Sequence, residues 1–262
     1  MTGVQTCALP IYVDVNNCEF RYDSSGFITV FNKKTGMKIR TKTYDNKEPE
    51  ISDIPELVDL SITDYCEENC EFCYKNSGCS GKHAEMKVLD NIIYQMGKAG
   101  VFEIAIGGGD PTSHPEFSKI LYKIKNSGIV PSFSTRSTKW LDNDEIVKSV
   151  KENCGAVAFS VRNSKEAKSF IAKSEKVGIK PSLHFVLGGS DLKNIPKIMD
   201  LRDRYEKLII LGFKNIGRGK DFTPYSTKGW IDILNEYKWS KVGVDASLAE
   251  VLRQESNIPQ IY

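Results

Sequence analysis

A chain of 262 residues can bury one large core or two small ones. Its 36 basic and 34 acidic residues leave a formal charge of only +2, so no electrostatic bias favours nucleic acid or an anionic membrane. No apolar run nears the ~20 residues of a spanning helix, and the first residues do not read as a secretory leader.

The first eleven residues, MTGVQTCALPI, fit the translation of a common sequencing-library adapter. Residues 1–11 are therefore expected to be a non-native tip, which leaves Cys7 without meaning. Residues 12–50 are expected to form a β-hairpin element and linker. Within CEFRYDSSGFITVFNKKTGMKIRT two or three short strands are predicted, with turns at Ser24-Ser25-Gly26 and Lys34-Thr35-Gly36. The polar KTYDNKEPEISDIPE then connects onward. The hairpins are expected to cover the bottom or an edge of the main domain.

That domain is expected over 51–240, built from a repeated unit of strand, loop, amphipathic helix and glycine. Strands are predicted at 58–63, 102–107, 130–135, 156–161, 181–187 and 207–213, with a weaker seventh at 241–245. Helices are predicted in MKVLDNIIYQMGKA, PEFSKILYKIKNS, NDEIVKSVKEN, SKEAKSFIAKSEKV, IPKIMDLRDRYE and TKGWIDILNEY. Phe117, Ile120, Leu121 and Ile124 recur at helical spacing before Gly128, where a helix stop belongs. Residues 241–262 are expected to hold a last strand and helix, and the ending ESNIPQIY suggests that the natural protein continues. The alternation predicts an α/β fold with a parallel sheet: a partial (β/α)6 TIM-like barrel, or alternatively a doubly wound open sheet. Either places a ligand at the carboxyl ends of the strands.

The seven cysteines are odd in number and four of them fall between 66 and 79, which argues against a disulfide framework and for metal or redox chemistry in a reducing compartment. Cys66, Cys70 and Cys73 follow the first repeated strand at C-x3-C-x2-C spacing, close enough to converge on one metal centre. A structural zinc site would need a fourth ligand, for which Cys79 is the candidate. Otherwise Cys79 is a free loop thiol, and Cys18 and Cys154 are small core residues.

CEENCEFC, with Phe72 before the third cysteine, resembles the CxxxCxxC signature of the radical S-adenosylmethionine (SAM) superfamily. The resemblance extends to IGGGDPTSHPEF after the second strand, where Gly108, Gly109, Asp110 and Pro111 match a Gly-Gly-Glu-Pro motif with Asp in place of Glu. It implies a [4Fe–4S] cluster on Cys66, Cys70 and Cys73, with one iron left open for SAM. It further implies that the Gly-Gly-Asp-Pro backbone receives the methionine amino group, glycine being needed where the cofactor comes close. Ser134, Ser160 and Arg162 would face the SAM ribose and carboxylate. Val186, Leu187 and backbone at Gly212 and Phe213 would contact adenine, and Phe72 would belong to the cofactor site. Lys214 and Arg218 would face an anionic part of the substrate, and His184 either packs or lines the cavity. His83 and His114 are loop residues, the latter expected to cap or orient.

The implied reaction is reductive cleavage of SAM to methionine and a 5′-deoxyadenosyl radical, which abstracts a substrate hydrogen. Such an oxygen-sensitive, cytoplasmic enzyme would take its electron from a donor such as flavodoxin or ferredoxin. Peptide side chains are the favoured substrate class, with nucleotide-modifying and glycyl-radical-activating enzymes as alternatives. A SAM- and Fe–S-binding regulator without turnover and a zinc-stabilised binding protein are the readings from other classes.

Overall fold

The structure, a computed structural model, describes residues 17–24, 26–42 and 53–254, so the tip expected at 1–11 and the ending ESNIPQIY lie outside the described residues. The chain divides into two units, residues 1–56 and 57–262. In the first, three short strands pair antiparallel in sequence order: β1 (Cys18–Tyr22), β2 (Phe27–Asn32) and β3 (Lys38–Lys42). The second turn is held by Asn32, whose Oδ1 accepts from the N–H groups of Lys34 and Thr35, each at 3.0 Å. Thr29, Phe27 and Phe31 are buried on one face of this small sheet.

The second unit alternates strictly. It runs β4 (Leu57–Thr63), α1 (Met86–Ala99), β5 (Glu103–Gly108), α2 (Phe117–Asn126), β6 (Val130–Thr135), α3 (Asp144–Asn153) and β7 (Ala156–Ser160). It continues with α4 (Ser164–Lys176), β8 (Ser182–Leu187), α5 (Asn194–Met199), β9 (Leu208–Gly212), α6 (Trp230–Glu236), β10 (Val242–Val244) and α7 (Ala246–Gln254). All neighbouring strands are parallel, and their spatial order runs from β4 to β10 without reversal. A doubly wound sheet requires a reversal at its switch point. The winding is therefore that of a barrel, left open because β4 and β10 pair only on one side.

Right-handed crossovers put the helices on one face of such a sheet, and the side chains sort accordingly. Ile62, Ile104, Ile106, Phe133, Phe159, Leu183, Phe185 and Ile210 are buried, with α1 and α2 adding Leu89, Ile93, Phe117, Ile120, Leu121 and Ile124. Each fully buried side chain of this kind contributes ~1.5–3 kcal/mol relative to exposure. The alternate positions of the same strands carry Ser61, Ala105, Gly107, Ser132, Ser134, Ala158, Ser182 and His184. Complete barrels fill their interior with bulky branched residues. Here the inward side chains are small, and a cavity of about 280 Å³ remains.

Two predicted helices come out shorter. The helix expected over 195–206 ends at Met199. Beyond it, tight turns from Arg202 N–H to Met199 O and from Arg204 N–H to Leu201 O swing Tyr205 into the core against Met199 Sδ. The helix expected from Thr227 begins at Trp230, because Gly229 takes φ 84°, a left-handed value no right-handed helix interior contains.

Asn143 caps α3 by accepting from Glu145 and Ile146 N–H at 3.0 and 3.1 Å. Asn143→Ala is expected to lower the unfolding free energy by ~1 kcal/mol in urea titration. Removing the exposed Lys148–Glu152 pair in the same helix, 4.0 Å apart, should change it by less than ~0.5 kcal/mol. The reverse ranking would refute the capping account.

Candidate active site at the mouth of the open barrel

The segment after β4 leaves the sheet and returns to it as one compact loop. Asp64 N–H reaches Lys82 O at 2.9 Å, Ala84 N–H reaches Ile62 O at 2.9 Å, and Cys66 N–H reaches Gly78 O at 3.1 Å. Gly81 seals the base of the loop, since a Cβ there would lie 2.1 Å from Asp64 O. Thr63 Oγ1 sits 2.8 Å from His83 Nδ1 and accepts from Tyr65 N–H at 3.0 Å.

Cys66, Cys70 and Cys73 ride on this loop, all half-buried and all free thiols. Asn69 at φ 42° and Asn76 at φ 56° supply the left-handed bends that curl it. Burial pushes the Cys66 thiol up, opposed by the N–H groups of Glu68 and Asn69. Burial likewise raises Cys70, against the pull of the Arg136 and Arg162 guanidiniums. A metal therefore has to displace protons from these thiols, as thiolate ligation ordinarily requires. Among the described residues no three His, Cys, Asp or Glu side chains converge on a single-ion site. Cys79 Sγ lies 3.8 Å from Cys66 O.

The Gly-Gly-Asp-Pro loop after β5 lies directly on the cysteine loop. Gly109 N–H donates to Thr63 O at 2.6 Å and Asp110 N–H to Tyr65 O at 2.9 Å. A Cβ on Gly108 would stand 2.1 Å from Thr63 O, and one on Gly109 would stand 2.1 Å from Tyr65 O. The chain itself thus demands both glycines, a constraint separate from any approach of a cofactor. Gly107, one residue earlier, has nothing within 4 Å of its would-be Cβ and lines the cavity. Asp110 is buried, and its Oδ1 accepts from Thr112 N–H, Thr112 Oγ1 and Thr135 Oγ1 at 3.1, 2.8 and 2.8 Å. Pro111 follows at the start of a short 3-10 turn. His114 is occupied by structural bonds: its Nδ1 accepts from Glu116 N–H at 3.1 Å, and its Nε2 lies 3.0 Å from Ala84 O.

Ser134 lines the cavity, and Ser160 ends β7 with its carbonyl accepting from Arg136 Nη1 at 3.0 Å. Arg136 also pairs with Glu166 at 3.1 Å, and its buried Nε, which makes no hydrogen bond, faces the Glu68 carboxylate at 3.7 Å. Arg162 pairs with Glu166 as well, through its backbone N–H at 2.8 Å and its guanidinium at 3.1 Å. Val186 and the Phe72 ring both border Gly189, whose would-be Cβ lies 3.1 Å from Val186 Cβ and 3.0 Å from the ring. Phe72, Phe213 and Phe222 form a contiguous aromatic group, with centroids 5.4 Å apart for Phe72–Phe222 and 5.8 Å for Phe213–Phe222.

Two expectations are corrected, for Gly212 and Arg218. Gly212 N–H is taken by the Asp245 carboxylate at 3.3 Å, so this donor is not open to adenine. The Phe213 side chain joins the aromatic group. Arg218 does not face a substrate space: its guanidinium bonds Cys70 O at 2.9 Å and Ser77 O at 2.8 Å. Lys214 sits 4.6 Å above the Tyr74 ring. Thr135 and Glu166, which fix Asp110 and the two arginines, carried no motif in the sequence.

The model of the "Radical SAM superfamily" matches residues 60–214, more than half of the chain. The chain belongs to the radical SAM superfamily. Membership implies an enzyme that uses SAM and an iron–sulfur cluster. No curated protein matches the sequence. Among solved structures, Streptococcus suis SuiB bound to precursor peptide SuiA aligns with TM-score 0.70 and 13% identity, covering 94% of this chain and 76% of SuiB. SuiB bound to S-adenosylmethionine aligns with TM-score 0.67 and 14% identity, covering 87% and 71%. The protein anSMEcpe, with AdoMet and a Cp18Cys peptide, aligns at 0.53 and 15%, covering 78% and 67%. At these identities the likeness is one of fold. The residues present fit a radical SAM cofactor pair: three free, half-buried thiols on one loop and an open cradle above Gly107.

His184 stands half-buried on the inward face of β8, lining the cavity, where burial pushes its imidazole down to about 4 against a small upward pull from Asp245. The unfolded chain takes up this proton near the ordinary value of 6.5 and the folded chain resists it. Stability is therefore expected to fall as pH drops from about 6.5 toward about 4. In urea titrations His184→Gln should flatten that slope; a slope unchanged by the substitution would show that His184 is not the group responsible.

Proposed function

We propose that this chain cleaves SAM reductively at a [4Fe–4S] cluster held by Cys66, Cys70 and Cys73, and abstracts hydrogen from a peptide or protein side chain. The observation that carries the reading is the hydrogen-bonded contact between the cysteine loop and the Gly-Gly-Asp-Pro loop at the mouth of an unfilled barrel. When bound, cluster and SAM supply the electron and the carbon-centred radical that takes the substrate hydrogen.

The chain's own residues bind, position and exclude. The three thiols would hold the cluster as thiolates, their protons released to solvent on binding, and would leave one iron for SAM. Backbone at Gly107 and Gly108 borders the cavity and offers the methionine end a surface without side chains. Asp110, tied to Thr112 and Thr135, holds that loop in place. Ser134 and Ser160 offer hydroxyls to the ribose, with the Arg136 and Arg162 cations toward the carboxylate. Phe72 and Val186 flank adenine, and the Phe213–Phe222 group helps to keep water from the reacting atoms. An external flavodoxin- or ferredoxin-like donor delivers the electron.

Support for a peptide substrate comes from the two neighbours carrying peptides and from near-neutral charge, which offers no hold on long nucleic acid. The test is anaerobic: reconstitute with iron and sulfide, add SAM and dithionite, and quantify 5′-deoxyadenosine. Its formation, abolished in Cys66→Ala, Cys70→Ala and Cys73→Ala, is expected. Iron-loaded protein that forms none would leave a non-catalytic regulator as the reading, and iron-free protein holding one zinc would overturn the cluster.

A further inference from the structure

The strand order leaves β4 and β10 at opposite edges, so no sheet hydrogen bond joins the first loop of the barrel to the last. Another contact does. After β9 the chain makes a short 3-10 turn, Gly217–Lys220, and its first two residues lock onto the cysteine loop. Arg218 N–H donates to Cys73 O at 3.0 Å. Its guanidinium donates through Nε to Cys70 O at 2.9 Å, through Nη2 to Ser77 O at 2.8 Å and through Nη1 to Asn76 Oδ1 at 3.2 Å. One side chain thereby grips the loop from residue 70 to residue 77.

Gly217 makes the approach feasible. It takes φ 57°, and a Cβ there would stand 2.4 Å from Tyr74 O and 2.7 Å from Cys73 O. Only a residue without a side chain lets the two backbones meet so closely. The planar guanidinium suits the other half of the contact, since it presents several donors in a fixed fork. A lysine ammonium is a point charge on a flexible stem and cannot meet three separated acceptors in that geometry.

We propose that Gly217-Arg218 is a latch that closes the open barrel at its mouth, and that Arg218 is a positioning residue for the cysteine loop and the cluster it holds. The inference rests on the cluster reading above. Arg218 acts through the carbonyls of the residues that carry the thiols, drawing them away from the metal side, and touches neither substrate nor cofactor. Its positive charge also stands close behind two of the three cysteines, where it favours the electron-richer state of a cluster.

The test uses the full chain, reconstituted anaerobically, as wild type, Arg218→Gln, Arg218→Lys and Gly217→Ala. Iron loss to a chelator and the reduction potential of the cluster are measured for each. Arg218→Gln is expected to lose iron ~10-fold faster or more, the usual penalty for removing an outer-shell partner, and its potential should move to more negative values. Arg218→Lys keeps the charge and loses the fork, so it should shed iron faster with a smaller shift in potential. Gly217→Ala should also shed iron faster, and it decides the matter if Arg218→Gln fails to fold. Wild-type iron retention and potential in both Arg218→Gln and Gly217→Ala would overturn the latch. Should wild type take up no cluster, the function reading fails while the latch stays testable in the apoprotein. Faster deuterium exchange over residues 66–78 in Arg218→Gln supports the latch, and unchanged exchange refutes it.

Discussion

Two main-chain hydrogen bonds, Gly109 N–H to Thr63 O and Asp110 N–H to Tyr65 O, join the loop after β5 to the loop after β4. What the site needs follows from that contact. It sets the glycine backbone against the loop that carries the three cysteines, and it requires two consecutive residues without side chains, because either Cβ would overlap a carbonyl oxygen. Asp110 then reaches sideways to Thr135 at the end of β6. Three successive strand ends are thus linked through one residue, Asp110, by its backbone N–H to Tyr65 O and its carboxylate to Thr135. Such contacts between rigid elements hold groups more accurately than a free loop does.

The sheet supplies the space. Its two faces divide the labour: large apolar side chains toward the helices carry the core, while Ser, Ala and Gly toward the axis leave room. The open edge between β4 and β10 forgoes sheet hydrogen bonds that a complete barrel would make. The latch from Gly217-Arg218 ties the two sides together at the mouth alone, next to the thiols.

Much of this was legible along the chain. All seven parallel strands, the weak last one included, and the helix over Met86–Ala99 follow from local periodicity and from glycine punctuation. The cysteine spacing and the Gly-Gly-Asp-Pro motif are local too, and they sit on adjoining loops because consecutive parallel strands are neighbours. What failed to show was long-range. Arg218 lies 148 residues from Cys70, and nothing beside it in NIGRGK distinguishes a clamp from a solvated basic loop. Glu166 captures Arg162 and Arg136 from a helix that reads as ordinary surface. Asp245 takes the Gly212 N–H from beyond the last strand. The end of the helix at Met199 was hidden because Tyr205 is pulled into the core by tertiary contacts that override local preference. The alternation of small and large residues in VDLSIT, FEIAIG and PSFST was present in the sequence, and it signals an unfilled interior once the strands are known to wind one way.

The claim on which the account stands is that Cys66, Cys70 and Cys73 hold a cluster with one iron open to SAM. Electron paramagnetic resonance of the reconstituted, reduced protein addresses it most directly, recorded before and after SAM is added. The account predicts a reduced-cluster signal whose g-values shift on addition of SAM, because the cofactor binds the open iron. A signal indifferent to SAM, or one that survives replacement of all three cysteines, would contradict it.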